Sequence, residues 1–484
     1  MHPQKFGFLL RPTPLILASA CLAFVSTAAL NGCGGAAGMS GSSTSTTSTI
    51  PAATTAVQVN MGDSPADWML GFSMSIGSMT LTGSNGSATV VSSPIEMEMT
   101  HLMGAMQPLA MVSAPQGSYT GATVMIESAT VTYVSPTTKT VTQQTIQGPM
   151  TVNVTFPSSV TVGSTPMAMN FDLNLASSIT GTAGSLTMSP VFEMTSGLQG
   201  SGNAADYADG GIGEMMGSIS SVSGSSFSMT SLESAGTFTF ATNSSTVFDN
   251  TTMGGMSSGM LVMVDATLQS DGSLMATKVE SMAGSGGMMG GGIITAATSS
   301  SLTLVMQNGV GNGMMSSFLA DGVTVNLNAS TTYQIDEDGV DLSSLPFTPA
   351  FDASHIYAGQ SVMPVSSGGM MGSSGGMMGG GMMSGVSMAG SLTASGLWLV
   401  PQGLSGTPSA ALTGGAAANF TMALPSDSAF TSLTGATSVT VYQQASTIME
   451  GGSTIASGAA MHAYGLLFDD GGQWKMVAMR LGAN

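Results

Sequence analysis

The sequence predicts an all-β protein: a sandwich-like N-terminal domain followed by three small barrel-like (OB-like) repeats joined by Gly/Met-rich linkers. Three observations lead to this prediction. Of the 484 residues, 43% are hydrophobic and only 6% charged, and the abundant Val, Thr and Ser favour strands over long helices. Apolar and polar residues alternate along many short segments, as they do in half-buried strands. One nine-residue pattern recurs three times in the second half, which indicates an internal repeat.

Residues 1–32 have the composition of a secretion signal peptide. Lys5 and Arg11 supply positive charge around the start of the apolar stretch Pro14–Leu30. This stretch is short of the ~20 residues that a membrane-spanning helix needs. We therefore favour a cleaved signal over a permanent transmembrane anchor.

The last four residues of the cleavage region, Leu30-Asn31-Gly32-Cys33, resemble the lipidation site of bacterial lipoproteins. The resemblance implies that the Cys33 thiol receives a diacylglyceryl group and becomes the new N-terminus, anchored in the cell envelope. Gly34 stands where Asp would retain a Gram-negative lipoprotein in the inner membrane, so the resemblance implies the outer membrane. Residues 33–54 are rich in Ser, Thr and Gly and are predicted to form a flexible tether.

The charge and cysteine content exclude two classes of function. The chain carries 6 Lys+Arg against 25 Asp+Glu, a formal net charge of −19, whereas phosphate backbones are bound by clusters of basic residues. No nucleic-acid partner is therefore expected. Besides Cys33 the only cysteine is Cys21, in the signal, so the mature chain is expected to have no disulfide and no thiolate metal site.

Residues 55–196 are predicted to form the sandwich-like domain. Val57, Val59 and Met61 alternate with polar residues, as do several later segments, and this period of two indicates antiparallel strands with one buried face. The stretch from His101 to Met111 breaks the pattern, and it is interpreted as one short helix or an apolar loop.

This domain also resembles an uncharacterised family of lipoprotein domains, domain of unknown function 4382. The segments that carry the resemblance are VQVNMGDSPAD, APQGSYTGATVMI, MNFDLNLASSI and LTMSPVFEM. They cover most of 55–196. The family implies no established activity for this chain.

The repeat is defined by three segments that align without a gap: FTFATNSST from Phe238, VTVNLNAST from Val323 and VTVYQQAST from Val439. Each reads as an alternating strand followed by a Ser-Thr pair. The predicted repeats span 215–282, 290–389 with a Gly/Met insert, and 390–484.

Each repeat is expected to begin with an opening strand after a glycine, at Gly217, Gly292 and Gly390. Closing hairpins are predicted at Gly259–Ser281 and Gly458–Leu481, while the middle copy keeps only a short remnant, GQSVMPV. This order of strands resembles the small β-barrel repeats of domain of unknown function 5666. The resemblance implies OB-like barrels that close on themselves.

Methionine is the most unusual residue type, with 44 copies. Six Met-Met pairs stand mostly between glycines, and thioethers favour Cu(I). The alternative interpretation is a low-complexity linker, because Met is an adaptable apolar filler and Gly runs are flexible; we favour it. The candidate copper ligands are Met370, Met371, Met377, Met378, Met382 and Met383.

An acidic turn at 336–341 is a second candidate metal site, for weak Ca²⁺ binding through Asp336, Asp338 and Asp341. An EF-hand would need its bidentate acid at position 347, which is Phe, so that motif fails. A turn at the end of a strand is the favoured interpretation.

No set of residues makes a convincing catalytic site, and no enzyme and no cofactor is predicted. Glu96 and Glu98 share one face of a predicted strand, and we interpret them as a solvated face rather than an acid/base pair. The mature histidines, His101, His355 and His462, are far apart in sequence and lack a nucleophile motif. The G-x-S-x-G matches lie in Gly/Ser runs.

These observations favour a lipid-anchored scaffold or binding module of the cell envelope. Polysaccharide or another envelope protein is the expected ligand class, and Trp398 and Trp474 are the aromatic residues that could stack on a sugar, although core packing is their ordinary role. The alternative is envelope metal binding, with copper bound at the Met pairs or calcium bound at the acidic turn. The oligomeric state stays open.

Overall fold

A computed structural model shows that the alternating segments form β-strands, which confirms the all-β prediction. The structure describes residues 52–483 except 65, 103–105, 136–137, 198–209, 233–235, 283–286, 289–290, 308–321, 338, 367–390, 451 and 453. The predicted signal, Cys33 and nearly all of the tether lie outside these residues. Among the helices in the described part of the chain, none is long and apolar enough to cross a membrane.

The N-terminal domain, here called the sandwich, is built from strands β1 (Thr54–Ser64), β2 (Met69–Gly83), β3 (Gly86–Val91), β4 (Ile95–Glu98), β5 (Met106–Pro115), β6 (Gly117–Val134), β7 (Val141–Val162), β8 (Met167–Asn174), β9 (Ile179–Thr182), β10 (Ser185–Met188) and β11 (Phe192–Gly197), with a short helix α1 (Leu175–Ser178). One sheet has the order β11-β8-β1-β5 and the other the order β3-β2-β6-β7, with β4 on β2. β1 runs parallel to β8 and antiparallel to β5.

The predicted alternation places the apolar faces of both sheets in one core. Val57, Val59 and Met61 of β1 are fully buried. Tyr119, at the start of β6, is also fully buried, and its hydroxyl donates a 2.8 Å hydrogen bond to the Pro115 carbonyl oxygen. This bond fixes the corner between β5 and β6, because a buried hydroxyl needs a partner.

The prediction of a helix or apolar loop over His101–Met111 is wrong. A 3₁₀ turn, Thr100–Leu102, is followed by β5, which pairs along β1. Pro108 lies where the register shifts between Val59 and Asn60. Proline has no amide hydrogen and is accommodated at such an irregularity, and the resulting break in the alternation hid the strand.

The first repeat, barrel 1, consists of β12 (Gly211–Ser223), β13 (Ser226–Ser231), β14 (Thr237–Ala241), β15 (Val247–Asp249), β16 (Leu261–Leu268) and β17 (Leu274–Ser281). The strand order is β14-β13-β12-β16-β17-β15, and parallel pairing of β14 with β17 closes the sheet. Phe227 and Phe240 stack inside it with ring centroids 5.3 Å apart. A 3₁₀ turn at Met253–Gly255 precedes β16.

The second repeat, barrel 2, consists of β18 (Gly287–Met288), β19 (Gly292–Ala297), β20 (Ser301–Met306), β21 (Val323–Asn326), β22 (Thr332–Ile335), β23 (Ser361–Ser366), β24 (Ser391–Thr393) and β25 (Gly396–Leu399). β24 pairs parallel with β21, and β25 pairs parallel with β22 and antiparallel with β23. β24 and β25 are two halves of one extended segment, so they bring the ends of the sheet together.

The third repeat, barrel 3, consists of β26 (Gln402–Pro408), β27 (Leu412–Thr413), β28 (Ala418–Ala423), β29 (Ser438–Glu450), β30 (Thr454–Ile455), β31 (Met461–Asp470) and β32 (Gln473–Ala483), with helix α2 (Ala429–Thr434) between β28 and β29. The strands form a closed barrel in the order β26-β28-β29-β32-β31. The Ser428 hydroxyl accepts a 2.9 Å hydrogen bond from the Thr431 amide and caps α2.

The three barrels follow one plan. In each, an opening strand pairs antiparallel with the strand that follows it and with the first strand of the closing hairpin: β12 with β13 and β16, β19 with β20 and β23, and β26 with β28 and β31. A later strand of each hairpin then runs parallel to the inner strand, β17 to β14, β24 to β21 and β32 to β29. The pairing closes a small sheet around its apolar face, as OB-like barrels do.

The alignment that placed an opening strand of the third repeat at Gly390 is wrong. Residues 391–399 form β24 and β25 and complete barrel 2, so barrel 3 begins with β26. The middle copy therefore has a full closing hairpin, interrupted by 367–390, rather than a remnant. The sequence contains one sign of this assignment. In the closing segment of each barrel an alanine stands three residues before a buried Val or Leu, at Ala276, Ala394 and Ala478.

The barrels pack on each other and on the sandwich. Phe468 and Val477 of barrel 3 join the apolar core of barrel 2. Leu70 of the sandwich packs with Val305 of barrel 2 and Ala429 of barrel 3 in a shared cluster. Residues 52–484 thus form one compact unit.

Candidate ligand-binding cavity

A cavity of about 190 Å³ lies where the sandwich and the three barrels meet. Each of the four contributes to its lining, for example Asp63 from the sandwich, Met216 from barrel 1, Trp398 from barrel 2 and Arg480 from barrel 3. Pockets for drug-sized ligands are larger, about 300–1,000 Å³. This cavity therefore suits a small group or one unit of a longer ligand.

Hydrogen bonds between the units hold the walls of the cavity. The Gln307 side-chain amide of barrel 2 donates to the Leu70 carbonyl oxygen of the sandwich at 2.9 Å. The Ala429 amide, at the start of α2, donates to the Asp67 carbonyl oxygen at 2.6 Å. The Gln402 side chain accepts from the Ser361 amide at 2.5 Å. Because these bonds cross between the sandwich, barrel 2 and barrel 3, the walls they hold depend on those three units being assembled.

Asp63, near the end of β1, is the most unusual residue of the lining. It is 4% exposed, and neither carboxylate oxygen has a hydrogen-bond partner in the described part of the chain. Burial raises the pKa of Asp63 well above its ordinary value, and the negative charges of Asp172, Glu98 and Asp67 add to the shift. A buried carboxylate without a partner is costly, so Asp63 is a candidate ligand contact rather than a structural one.

The three neighbouring acids have partners of their own. Glu98 accepts hydrogen bonds from the Phe72 amide at 3.0 Å and the Thr100 amide at 3.1 Å. Asp172 accepts from the Ser64 hydroxyl. Burial raises the pKa of Asp172 and of Asp67, whose carboxylate is hydrogen-bonded with Ser405.

The interpretation of Glu96 and Glu98 as a solvated face is wrong. Glu98 is 2% exposed, and Glu96 is half-buried with its pKa raised by burial. The reason is that β4 pairs with β2, where the Glu98 carboxylate accepts hydrogen bonds from the Phe72 and Thr100 amides instead of facing solvent. A period of two shows which residues share a face but not whether that face meets solvent.

Arg480, on β32, is the basic residue of the cavity lining. It is 7% exposed, and its guanidinium Nε lies 3.6 Å from Glu450 Oε1 and its Cζ 4.4 Å from the Tyr464 ring centroid. Glu450 also bonds to His462 Nε2 at 2.7 Å. Glu450 thus balances the charge of Arg480, which leaves the lining acidic.

An aromatic and several thioether side chains form the apolar part of the lining. Trp398 is half-buried and pairs across the sheet with Met363 of β23. Met216 and Met263 pair across β12 and β16. All four side chains line the cavity. Trp474, by contrast, is 8% exposed and packs edge-on against Phe430 at 5.0 Å, so its role is core packing.

The structure tests few of the predicted metal ligands. Met370, Met371, Met377, Met378, Met382 and Met383 lie outside the described residues. The Met215-Met216 pair lies in β12, with Met215 fully buried, so this pair belongs to a strand and not to a linker.

The described residues of the acidic turn do not group as metal ligands. Asp338 lies outside the described residues, and the exposed Asp341 carboxylate accepts from the Ser343 amide at 2.9 Å and its hydroxyl at 2.6 Å, which lowers the Asp341 pKa. Asp336 lines the cavity instead. In the described ranges, no three His, Cys, Asp or Glu residues are grouped as a metal site would require.

His355 and His462 lie in separate places. His355 Nδ1 bonds to Asp352 Oδ1 at 2.8 Å on the surface, and His462 belongs to the Glu450 pair in barrel 3. The side chain of His101 is not described.

Sequence reasoning missed the cavity and Asp63. The segment VQVNMGDSPAD contains Asp63, but its position in an alternating strand gave no sign that three other acids lie near it. The one available signal was a charged residue that directly continues an apolar strand, because such a residue is rarely buried without a reason.

Comparison with known proteins finds a family match for one part of the chain. Residues 216–280, which form most of barrel 1, match the family described as Domain of unknown function (DUF5666). No curated protein matches the chain. No solved structure matches it either.

Proposed function

We propose that this chain is a lipid-anchored, non-catalytic binding protein of the cell envelope, and that the cavity between its four β units takes part of a polysaccharide. The observation that carries the proposal is the cavity itself, because all four units contribute to it and its lining combines an aromatic side chain with polar groups. Such a mixture is typical of small-molecule sites.

The anchor is supported by the sequence around Cys33, which resembles a lipoprotein cleavage site, and by a following tether rich in Ser, Thr and Gly. The expected location is the outer membrane. Growth with labelled palmitate tests the anchor: the parent chain is expected to take up label, and Cys33→Ala is expected to take up none. Label that persists in Cys33→Ala would contradict it.

The choice of polysaccharide over an envelope protein is supported by the size and shape of the site. A cavity of about 190 Å³ can take one sugar unit but not the face of a protein, whose interfaces bury about 800 Å² per partner. Trp398 supplies a flat apolar surface, and Gln107 and Arg480 supply polar groups beside it.

The relationship of residues 55–196 to domain of unknown function 4382 is part of the proposal, supported by the segments quoted above. The barrels are proposed to act as a rigid support that completes the cavity. Because the units pack together, binding is expected to depend on the whole assembly rather than on independent modules.

Titration of the full-length chain, purified in detergent, with a panel of neutral and charged oligosaccharides tests the proposal. Binding of at least one oligosaccharide is expected, together with a loss of at least tenfold in affinity for Trp398→Ala. Tyr442→Ala is the matched control, because Tyr442 packs against Phe347 outside the cavity. Absence of binding across the panel, or equal loss in both variants, would contradict the proposal.

A further inference from the structure

We infer that the group held in the cavity is a positively charged amine, bound by the Asp63 carboxylate. Combined with the polysaccharide function proposed above, on which this part rests, the ligand is a saccharide with free amino groups, that is, an unacetylated amino sugar. The inference extends the proposed function from a ligand class to a specific chemical group.

The charge of the lining supports a cation. Among the described residues, four carboxylate side chains line the cavity, those of Asp63, Asp67, Glu280 and Asp336, and one basic side chain, that of Arg480. Arg480 is engaged by Glu450 at 3.6 Å. Lys278 lies 3.3 Å from Glu280 and balances one of the acids. The remaining excess of negative charge attracts cations and repels anions.

Asp63 supplies the specific contact. Both of its oxygens are buried and lack a hydrogen-bond partner in the described part of the chain. An ammonium group carries three N–H donors, and a charge-assisted bond to a carboxylate is among the stronger hydrogen bonds. Seating an amine beside Asp63 would thus satisfy oxygens that the protein itself leaves without donors.

The rest of the lining favours an organic amine over a metal ion. Ca²⁺ takes six to eight oxygen ligands and Mg²⁺ keeps several waters, whereas much of this lining is thioether and aromatic, with Met216, Met263, Met363 and Trp398. Cu(I) would use the thioethers but not the carboxylate. An ammonium group on a carbon skeleton fits both parts, because an aromatic face attracts cations and methionine packs against carbon.

The ionisation of Asp63 gives the inference a second readout. The groups that act on Asp63 are Asp172 of β8, Glu98 of β4 and Asp67 of the following turn; all three raise its pKa together with burial. Ser64, beside it, holds Asp172 by a hydrogen bond. Binding of an ammonium group favours the ionised carboxylate and lowers this pKa. At a pH below the pKa of the free amine, where the titrations are run, the amine binds already protonated, so binding is expected to release the Asp63 proton to the buffer.

The test is calorimetric titration of the full-length chain in detergent, in 0.15 M salt, with three probes: a glucosamine hexamer, the corresponding N-acetylglucosamine hexamer, and putrescine. We expect the glucosamine hexamer to bind at least tenfold more tightly than the acetylated one, with proton release measured by comparing two buffers. Asp63→Asn, which keeps the shape of the side chain, is expected to lose the preference and the proton release.

Asp352→Asn is the matched control, because Asp352 is an exposed acid away from the cavity. Equal binding of both hexamers that is unchanged in Asp63→Asn would overturn the inference while the polysaccharide function stands. Binding of putrescine alone, lost in Asp63→Asn, would support the amine site and overturn the saccharide. Equal weakening in both variants would indicate general charge attraction and overturn the inference. No binding of any of the three probes would also overturn the inference, while the wider oligosaccharide panel decides the polysaccharide function.

Discussion

The side-chain hydroxyl of Thr246 donates a 2.8 Å hydrogen bond to the carbonyl oxygen of Ala276, and so ties the turn between β14 and β15 of barrel 1 to the closing strand β17. The same bond recurs in barrels 2 and 3, from Thr331 to Ala394 at 2.9 Å and from Thr447 to Ala478 at 2.7 Å. These threonines are the last residues of the three aligned segments. The repeated Ser-Thr pair thus has a structural role, which is to fix closure of each barrel.

Loss of this hydroxyl is expected to weaken the barrel. Thr447→Val keeps the shape of the side chain but leaves the Ala478 carbonyl oxygen without this donor in a buried site, which costs about 1–3 kcal/mol. Urea unfolding measures the change. The matched control is Thr239→Val at an exposed strand position, where we expect a change within about 0.5 kcal/mol. Equal effects of the two substitutions would contradict a stabilising role of the Thr447 hydrogen bond.

The raised pKa of Asp63 predicts a pH dependence with a definite sign. The folded chain holds the Asp63 proton more tightly than the unfolded chain, in which the Asp pKa is near 3.8. The free energy of unfolding therefore falls as pH rises above about 3.8, and it levels off once the pH exceeds the pKa of Asp63 in the folded chain. Asp63→Asn is therefore expected to unfold at higher urea than the parent at neutral pH, and to match it below about pH 3.8.

Asp352 is expected to give stability a pH dependence opposite in sign to that of Asp63. Hydrogen bonds from Ser354 and His355 lower its pKa to about 2, so its contribution is present above the unfolded value and is lost as pH falls toward 2. Asp352→Asn should lower stability slightly at neutral pH and have no effect below pH 2. An Asp63→Asn variant that behaved in this way would refute the assignment of Asp63 as an unpaired buried acid.

The Glu450 ion pairs are expected to stabilise barrel 3. Glu450 meets two buried side chains, Arg480 and His462. Removing one partner of a buried pair costs about 3–5 kcal/mol, so Glu450→Gln should lower the free energy of unfolding by about 3 kcal/mol. Asp470→Asn, which breaks the more exposed pair with Lys475, should cost no more than about 1 kcal/mol. Similar costs would contradict the prediction.

The methionine pairs at 370–383 are predicted to be linker. Replacement of Met370, Met371, Met377, Met378, Met382 and Met383 by Ser should leave Cu(I) uptake by the full-length chain unchanged, because glycine-rich segments do not hold ligands in a fixed geometry. A loss of copper binding in a competition assay would instead support the metal alternative.

The strands and the repeat could be predicted because they depend on local pattern. Alternation in segments such as Phe238-Thr239-Phe240 indicates one buried face, and the three Ser-Thr pairs mark equivalent positions. The prediction failed at Pro108, where a register shift breaks the alternation, and at 391–399, where strand residues were assigned to the wrong repeat. In both places pairing with distant strands, rather than local sequence, decides the structure.

The candidate site could not be predicted because its residues come from four separate units. Asp63 and Trp398 are 335 positions apart, and only the packing of the units brings them to one cavity. Sequence did point to Trp398 as a possible sugar contact. It gave no means to tell Trp398, which lines the cavity, from Trp474, which packs in the core.

Hydrogen–deuterium exchange of the full-length chain, with and without the glucosamine hexamer, tests most directly whether the ligand lies between the four units. If the hexamer binds in the cavity, we expect slower exchange in four segments together, because their residues line the cavity: 62–70, 213–216, 291–293 and 401–405. Protection confined to one unit, or absent from all four segments, would contradict it.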